Sequence, residues 1–77
     1  MRYIFQERLD NGSDPVVIQD HFPSLMQGQE WAWRWFLYHR LKVYQIKPEA
    51  MYDRVEIRAA EKGGSIRVFS IEYVREG

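Results

Sequence analysis

Aromatic rings and cations alternate through the middle of this sequence. Trp31, Trp33, Trp35, Phe36, Tyr38 and Tyr44 are interleaved with Arg34, Arg40, Lys42 and Lys47, and residues 31–47 contain no acid. Two kinds of binding chemistry fit such a segment. Aromatic rings stack on nucleobases while basic groups hold phosphate. Trp, Tyr and Arg are also the residues that dominate the energetics of protein interfaces.

Catalytic chemistry finds less to work with. There is no cysteine, so thiol nucleophiles, disulfides and thiolate zinc sites are all excluded. His21 follows an expected strand and His39 closes an expected helix, with no ligand-type spacing between them; each suits a cap or a surface position. Ser13, Ser24, Ser65 and Ser70 fall in a turn, a cap and a strand, and none lies in a G-x-S-x-G context. Gly63-Gly64 reads as a hairpin loop, and no phosphate-cradling glycine pattern is present. Glu56 and Glu72 belong to solvated strand faces, with Arg58 and Arg67 as expected partners. The sequence points away from an enzyme, a metal site and a bound cofactor.

The elements that must position the aromatic segment follow from periodicity. Residues 2–9 alternate as a half-buried strand, with Tyr3, Phe5 and Leu9 apart from Arg2, Gln6 and Arg8. Asp10-Asn11-Gly12-Ser13-Asp14-Pro15 is a turn, with Asn-Gly suited to positive φ angles. Val16 to Gln19 returns as a short β-branched strand, ended by His21-Phe22-Pro23. Ser24 is an N-cap, with Gln27 completing a capping box. The helix is expected from Leu25 to Arg40, with basic groups at its negative pole. Gly28 costs this helix about 1 kcal/mol against alanine, which makes sense where helix and sheet approach closely.

Three more strands follow. Lys42 to Ile46 forms the third, stopped by Pro48, with one helical turn expected over Pro48–Tyr52. Arg54 to Ala59 points Val55, Ile57 and Ala59 inward. Ser65 to Val74 is the last, with Phe69, Ile71 and Tyr73 on one face. Ile66 and Val68 fall on the opposite phase, which implies a bulge or an apolar second face. The order β-β-α-β-β-β predicts an α+β fold: an antiparallel sheet of four to five strands, one helix packed on one face, and the other face open.

Seventy-seven residues make a single domain, residues 1–77. A chain this short has a thin margin of buried surface, and aromatic side chains or a partner must supply the rest. Aromatics are 16% of the chain, more than one small core needs. Arg2, Glu7 and Arg8 interrupt any signal-peptide stretch, and no apolar run is long enough for a bilayer. These features, with the missing cysteine, predict a cytoplasmic protein that does not meet a membrane.

Helical geometry turns the aromatic surplus into a prediction about surface. At 100° per residue, Leu25, Gly28, Ala32, Phe36 and His39 share one face, with Trp35 beside them. Trp31 and Tyr38 form one flank; Met26, Trp33 and Leu37 form the other; Gln27, Glu30 and Arg34 lie at the back. Trp31 and Trp33 stand roughly 200° apart about the axis, so one sheet cannot cover both. One flank must stay accessible.

The expectation is a non-enzymatic protein-binding module that acts by stoichiometric occlusion. Met26, Trp33, Arg34 and Leu37 supply its anchor, with Trp31 and Tyr38 as the alternative flank. Its partner is a foreign protein or a second copy in a homodimer. Compact, cysteine-free α+β chains of this length are common among phage and mobile-element inhibitors of host machinery, anti-CRISPR proteins included. That likeness is one of size and style, with no shared motif. The alternative is a single-stranded nucleic-acid binder using Arg34, Arg40, Lys42 and Tyr44, against which the balanced net charge argues.

Overall fold

The computed structural model describes residues 2–9 and 12–74. It is an α+β fold of five strands and one helix: β1 (Tyr3–Arg8), β2 (Val16–Phe22), α1 (Leu25–Tyr38), β3 (Lys42–Glu49), β4 (Arg54–Ala60) and β5 (Arg67–Tyr73), with a 3-10 turn over Ala50–Tyr52. The strands form one antiparallel sheet in the order β2-β1-β5-β4-β3. Asp10 and Asn11 of the expected first turn lie outside the described residues; Gly12, at φ 78°, has the positive φ expected there.

Strand register sorts the side chains into two faces. Phe5, Ile71, Val55 and Pro48 stand in one row across the sheet, and Glu7, Phe69, Ile57 and Ile46 in the next. These rows face α1. Phe5, Ile57, Phe69 and Ile71 are fully buried there, joined by Ala32 and Phe36 of the helix. The ring of Phe5 meets Trp31, Trp35, Phe36 and Phe69 at centroid distances of 6.0, 5.5, 5.6 and 5.7 Å. Such pairs add stabilisation beyond the area they bury.

The opposite face is a lattice of polar side chains. Gln6, Ser70, Glu56 and Lys47 form one row, and Ile4, Glu72, Arg54 and Glu49 another. The Gln6 amide donates to Ser70 Oγ at 3.3 Å and to Glu72 at 3.0 Å. Arg54 lies 3.6 Å from Glu72 and 3.7 Å from Glu49, while Glu56 is held between Arg8 at 3.4 Å and Arg58 at 3.8 Å. Val68 stands among these polar groups without any register shift in β5, and Ile66 lies exposed before the strand begins, so neither the expected bulge nor an apolar second face forms. Arg67 differs from its expected partnership: it forks onto Glu7, with both nitrogen–oxygen distances 2.8 Å, on the helix-covered face. Its pairing depends on β1 and β5 being neighbours, which no local pattern encodes.

Several element boundaries move from their expected places, and β5 is shorter than expected, Arg67–Tyr73 in place of Ser65 to Val74. β2 runs through Asp20 and His21 to Phe22, with irregular pairing to β1 and His21 at φ 68°. The Asp20 carboxylate secures this conformation by accepting from the His21 backbone N–H at 2.6 Å and Arg2 Nε at 2.9 Å. β3 continues through Pro48 because it is an edge strand, where a missing N–H is tolerated. The 3-10 turn accordingly starts at Ala50 and ends at Asp53 in a left-handed conformation. Burial and the adjacent Asp53 carboxylate, hydrogen-bonded to it, hold the Tyr3 hydroxyl above its usual pKa.

Candidate functional site

The helix starts as its sequence predicts. Ser24 has extended backbone and its hydroxyl accepts from the Gln27 N–H at 3.2 Å, the first half of a capping box. Gly28 then lies against β5 and β2: a Cβ built there would fall 2.8 Å from Ile71 Cγ2 and 3.5 Å from Phe22. This close approach seats the amino-terminal half of α1 on the sheet.

The helix ends at Tyr38, two residues before the expected Arg40. The Leu41 N–H reaches back to Phe36 O at 2.8 Å and the Arg40 N–H to Leu37 O at 3.1 Å. Arg40 itself is left-handed, at φ 58°. Those features make a Schellman ending, in which the residues before and after the reversal meet through apolar side chains. Phe36 and Leu41 are that pair, both buried. His39 is therefore a cap and not a core residue; its ring lies 4.1 Å from that of Trp35, on the surface.

From this ending the chain enters β3, and a groove forms between it and α1. Trp33, Phe36, Leu37, Leu41, Val43 and Ile46 line it, enclosing about 450 Å³. The Trp33 ring leans on Phe36 at a centroid distance of 5.7 Å, forming a wall. Leu37 is 78% exposed and Trp33 37% exposed, whereas Phe36 behind them is only 2% exposed. Ile46 of the edge strand supplies the opposite lip, also exposed. Every lining residue belongs to the acid-free segment 31–47.

The two helix flanks thus have different fates. Trp31 packs into the core, its ring 6.0 Å from Phe5 and 5.8 Å from Phe22, covered by β1 and β2. The alternative anchor of Trp31 and Tyr38 is accordingly split, since Tyr38 is exposed while Trp31 is not free. Trp33 and Leu37 come together in the groove; Met26 and Arg34 are exposed on the helix but do not line it. Leu41, Val43 and Ile46 were not expected in the site. A Schellman ending carried by arginine in place of glycine gives no signal in the sequence, so the return of the chain beneath Phe36 is invisible there.

The residues of the nucleic-acid alternative are dispersed. Lys42 lies over the Tyr44 ring, 5.3 Å from its centroid, at the start of β3. Arg40 lines a separate recess with His39, Glu61 and Lys62, and Arg34 stands on the exposed back of α1. Trp31, Trp35 and Phe36, half of the aromatics in the segment, pack with the core. Among the described residues no cluster of histidine, aspartate or glutamate is arranged to hold a metal ion, and no helix is long and apolar enough to cross a membrane.

No protein-family model matches the chain, and neither a curated protein nor a solved structure matches it.

Proposed function

We propose that the chain is a non-enzymatic protein-binding module of the cytoplasm, and that the groove between α1 and β3 is its docking site. One observation carries this reading. Trp33 and Leu37 are exposed on the wall of an apolar groove, although a buried aromatic core lies directly behind them. Exposed apolar surface of this kind, rimmed by polar groups, marks interaction sites.

The lining defines the partner. The groove is lined by Trp33, Phe36, Leu37, Leu41, Val43 and Ile46, apolar side chains throughout. A protein surface that presents an apolar anchor side chain complements it, the anchor filling the groove and excluding water from it. Binding of this kind acts by stoichiometric occlusion, the mode of phage and mobile-element inhibitors of host machinery.

Parallel capture with the wild type and Leu37→Asp tests the reading. A defined protein held by the wild type through nuclease and high salt, and lost from the variant, supports it. Retention that vanishes on nuclease treatment moves the function to single-stranded nucleic acid, whose affinity falls steeply with salt.

A further inference from the structure

Among the described residues β3 ends the sheet, so its outer edge presents backbone donors and acceptors with no neighbouring strand. Its register with β4 assigns every side chain but that of Tyr44, the extra residue at a register shift, to a face. Val43, Ile46 and Pro48 stand opposite Ala59, Ile57 and Val55, on the helix-covered face. Lys42, Gln45, Lys47 and Glu49 stand opposite Ala60, Arg58, Glu56 and Arg54, on the polar face. The register shift between Val43 and Gln45 is what brings Lys42 and Glu49 to the same face; unbroken alternation would separate them.

We propose that this edge pairs with β3 of a second copy, antiparallel about a two-fold axis at Ile46. Such an axis, normal to the sheet, keeps each face in register with its own kind, so only every second alignment is allowed. Centred on Ile46, with the bulged Val43-Tyr44 filling one position as it does against β4, the pairing sets Lys42 opposite the partner's Glu49 at both ends. Gln45 meets the partner's Lys47, Val43 meets the partner's Pro48, and Ile46 meets its own counterpart on the apolar face. The neighbouring alignments fail on charge. Centred on Gln45, each Lys42 faces the partner's Lys47; centred on Lys47, that lysine faces itself. Like charges directly opposite are destabilising.

Lysine and proline on an edge strand ordinarily deter pairing. Here they select one alignment instead, because Lys42 has an acid to meet and Pro48, next to the strand's end, removes at most one donor per copy. The assembly closes at two, since each copy spends its β3 edge and is left with β2. Both helices then lie on the same side of the joined sheet, and the two grooves open beside a shared floor at Ile46. This inference stands on the register of β3 and does not require the groove to be occupied.

Sedimentation equilibrium of the full chain, over a range of concentrations, tests it by charge reversal. Wild type should reach twice the chain mass of 9.3 kDa. Lys42→Glu or Glu49→Lys alone sets like charges opposite at both ends and should weaken the dimer roughly tenfold to a hundredfold. Mixing the two variants restores opposite charges at both ends and should restore the dimer, as should the double variant. Glu49 also lies near Arg54, so Lys42→Glu is the cleaner reversal and the mixture checks that both variants fold. A wild type that stays at 9.3 kDa throughout overturns the proposal. So does a dimer indifferent to both reversals, or a mixture that remains monomeric. Leu37→Asp, off the strand, should leave the dimer intact while abolishing partner capture, which separates this pairing from the groove reading.

Discussion

Gly28 of α1 and Ile71 of β5 are so close that a Cβ on the glycine would lie 2.8 Å from Ile71 Cγ2. Alanine favours helix over glycine by about 1 kcal/mol, so propensity alone would make Gly28→Ala stabilising. The contact reverses the sign. Ile71 is fully buried among Phe5, Phe69 and Val55 and has no room to move aside. Gly28→Ala should lose about 1–3 kcal/mol, the usual cost of overpacking, as read by urea denaturation.

Arg40 shows the opposite imbalance. A left-handed conformation costs an L-residue about 1–2 kcal/mol, and glycine is the usual occupant of this place in a Schellman ending. Arg40→Gly should raise stability by about 0.5–1 kcal/mol in the same assay, since glycine gives back part of the gain as unfolded-state entropy. A loss would show that the guanidinium supports the helix end enough to outweigh its strain.

Both positions show what was legible in the sequence. The glycine was readable as a close approach, because it interrupts the inner face of an otherwise regular helix. The arginine was not, because nothing distinguishes a left-handed arginine from a helical one. The same contrast runs through the strands. Alternation exposed Tyr3 and Phe5, Val55, Ile57 and Ala59, and Phe69 and Ile71 as inward-facing, and these are buried in the sheet, while Leu9 and Tyr73, assigned to the same sets, are only partly covered. It stopped β3 at Pro48 and β2 before Phe22, because edge position and a left-handed His21 depend on the sheet and not on local pattern. For the site, the angular separation of Trp31 and Trp33 required one accessible flank. Which flank depended on where β2 lies, and that is a matter of strand order.

Stability should separate the groove's wall from the core behind it. Phe36→Ala removes a buried ring and should cost about 3–5 kcal/mol. Leu37→Ala, one residue away and largely exposed, should stay within about 0.5 kcal/mol. Trp33→Ala should fall between, near 1–2 kcal/mol, since part of its ring rests on Phe36. Chemical denaturation of the three variants checks the order.

Asp20 gives the fold a defined acid sensitivity. Partial burial pushes its carboxyl pKa upward, but the His21 N–H and the Arg2 guanidinium outweigh it and hold the group below its ordinary value. A depressed carboxylate contributes stability above its unfolded pKa and loses it as pH falls through the folded one. Asp20→Asn should therefore be less stable than wild type near neutrality, with the gap closing in the acid range. Denaturation midpoints of both proteins across pH provide the check.

A photo-crosslinking residue in place of Leu37, compared with one in place of Gln27 on the exposed back of the first turn of α1, nearly three turns away, tests the docking site most directly. The expected result is a specific protein adduct from position 37, absent from position 27 and undiminished by nuclease. Equal labelling from both positions, or adducts to nucleic acid alone, would contradict the groove as a protein-docking site.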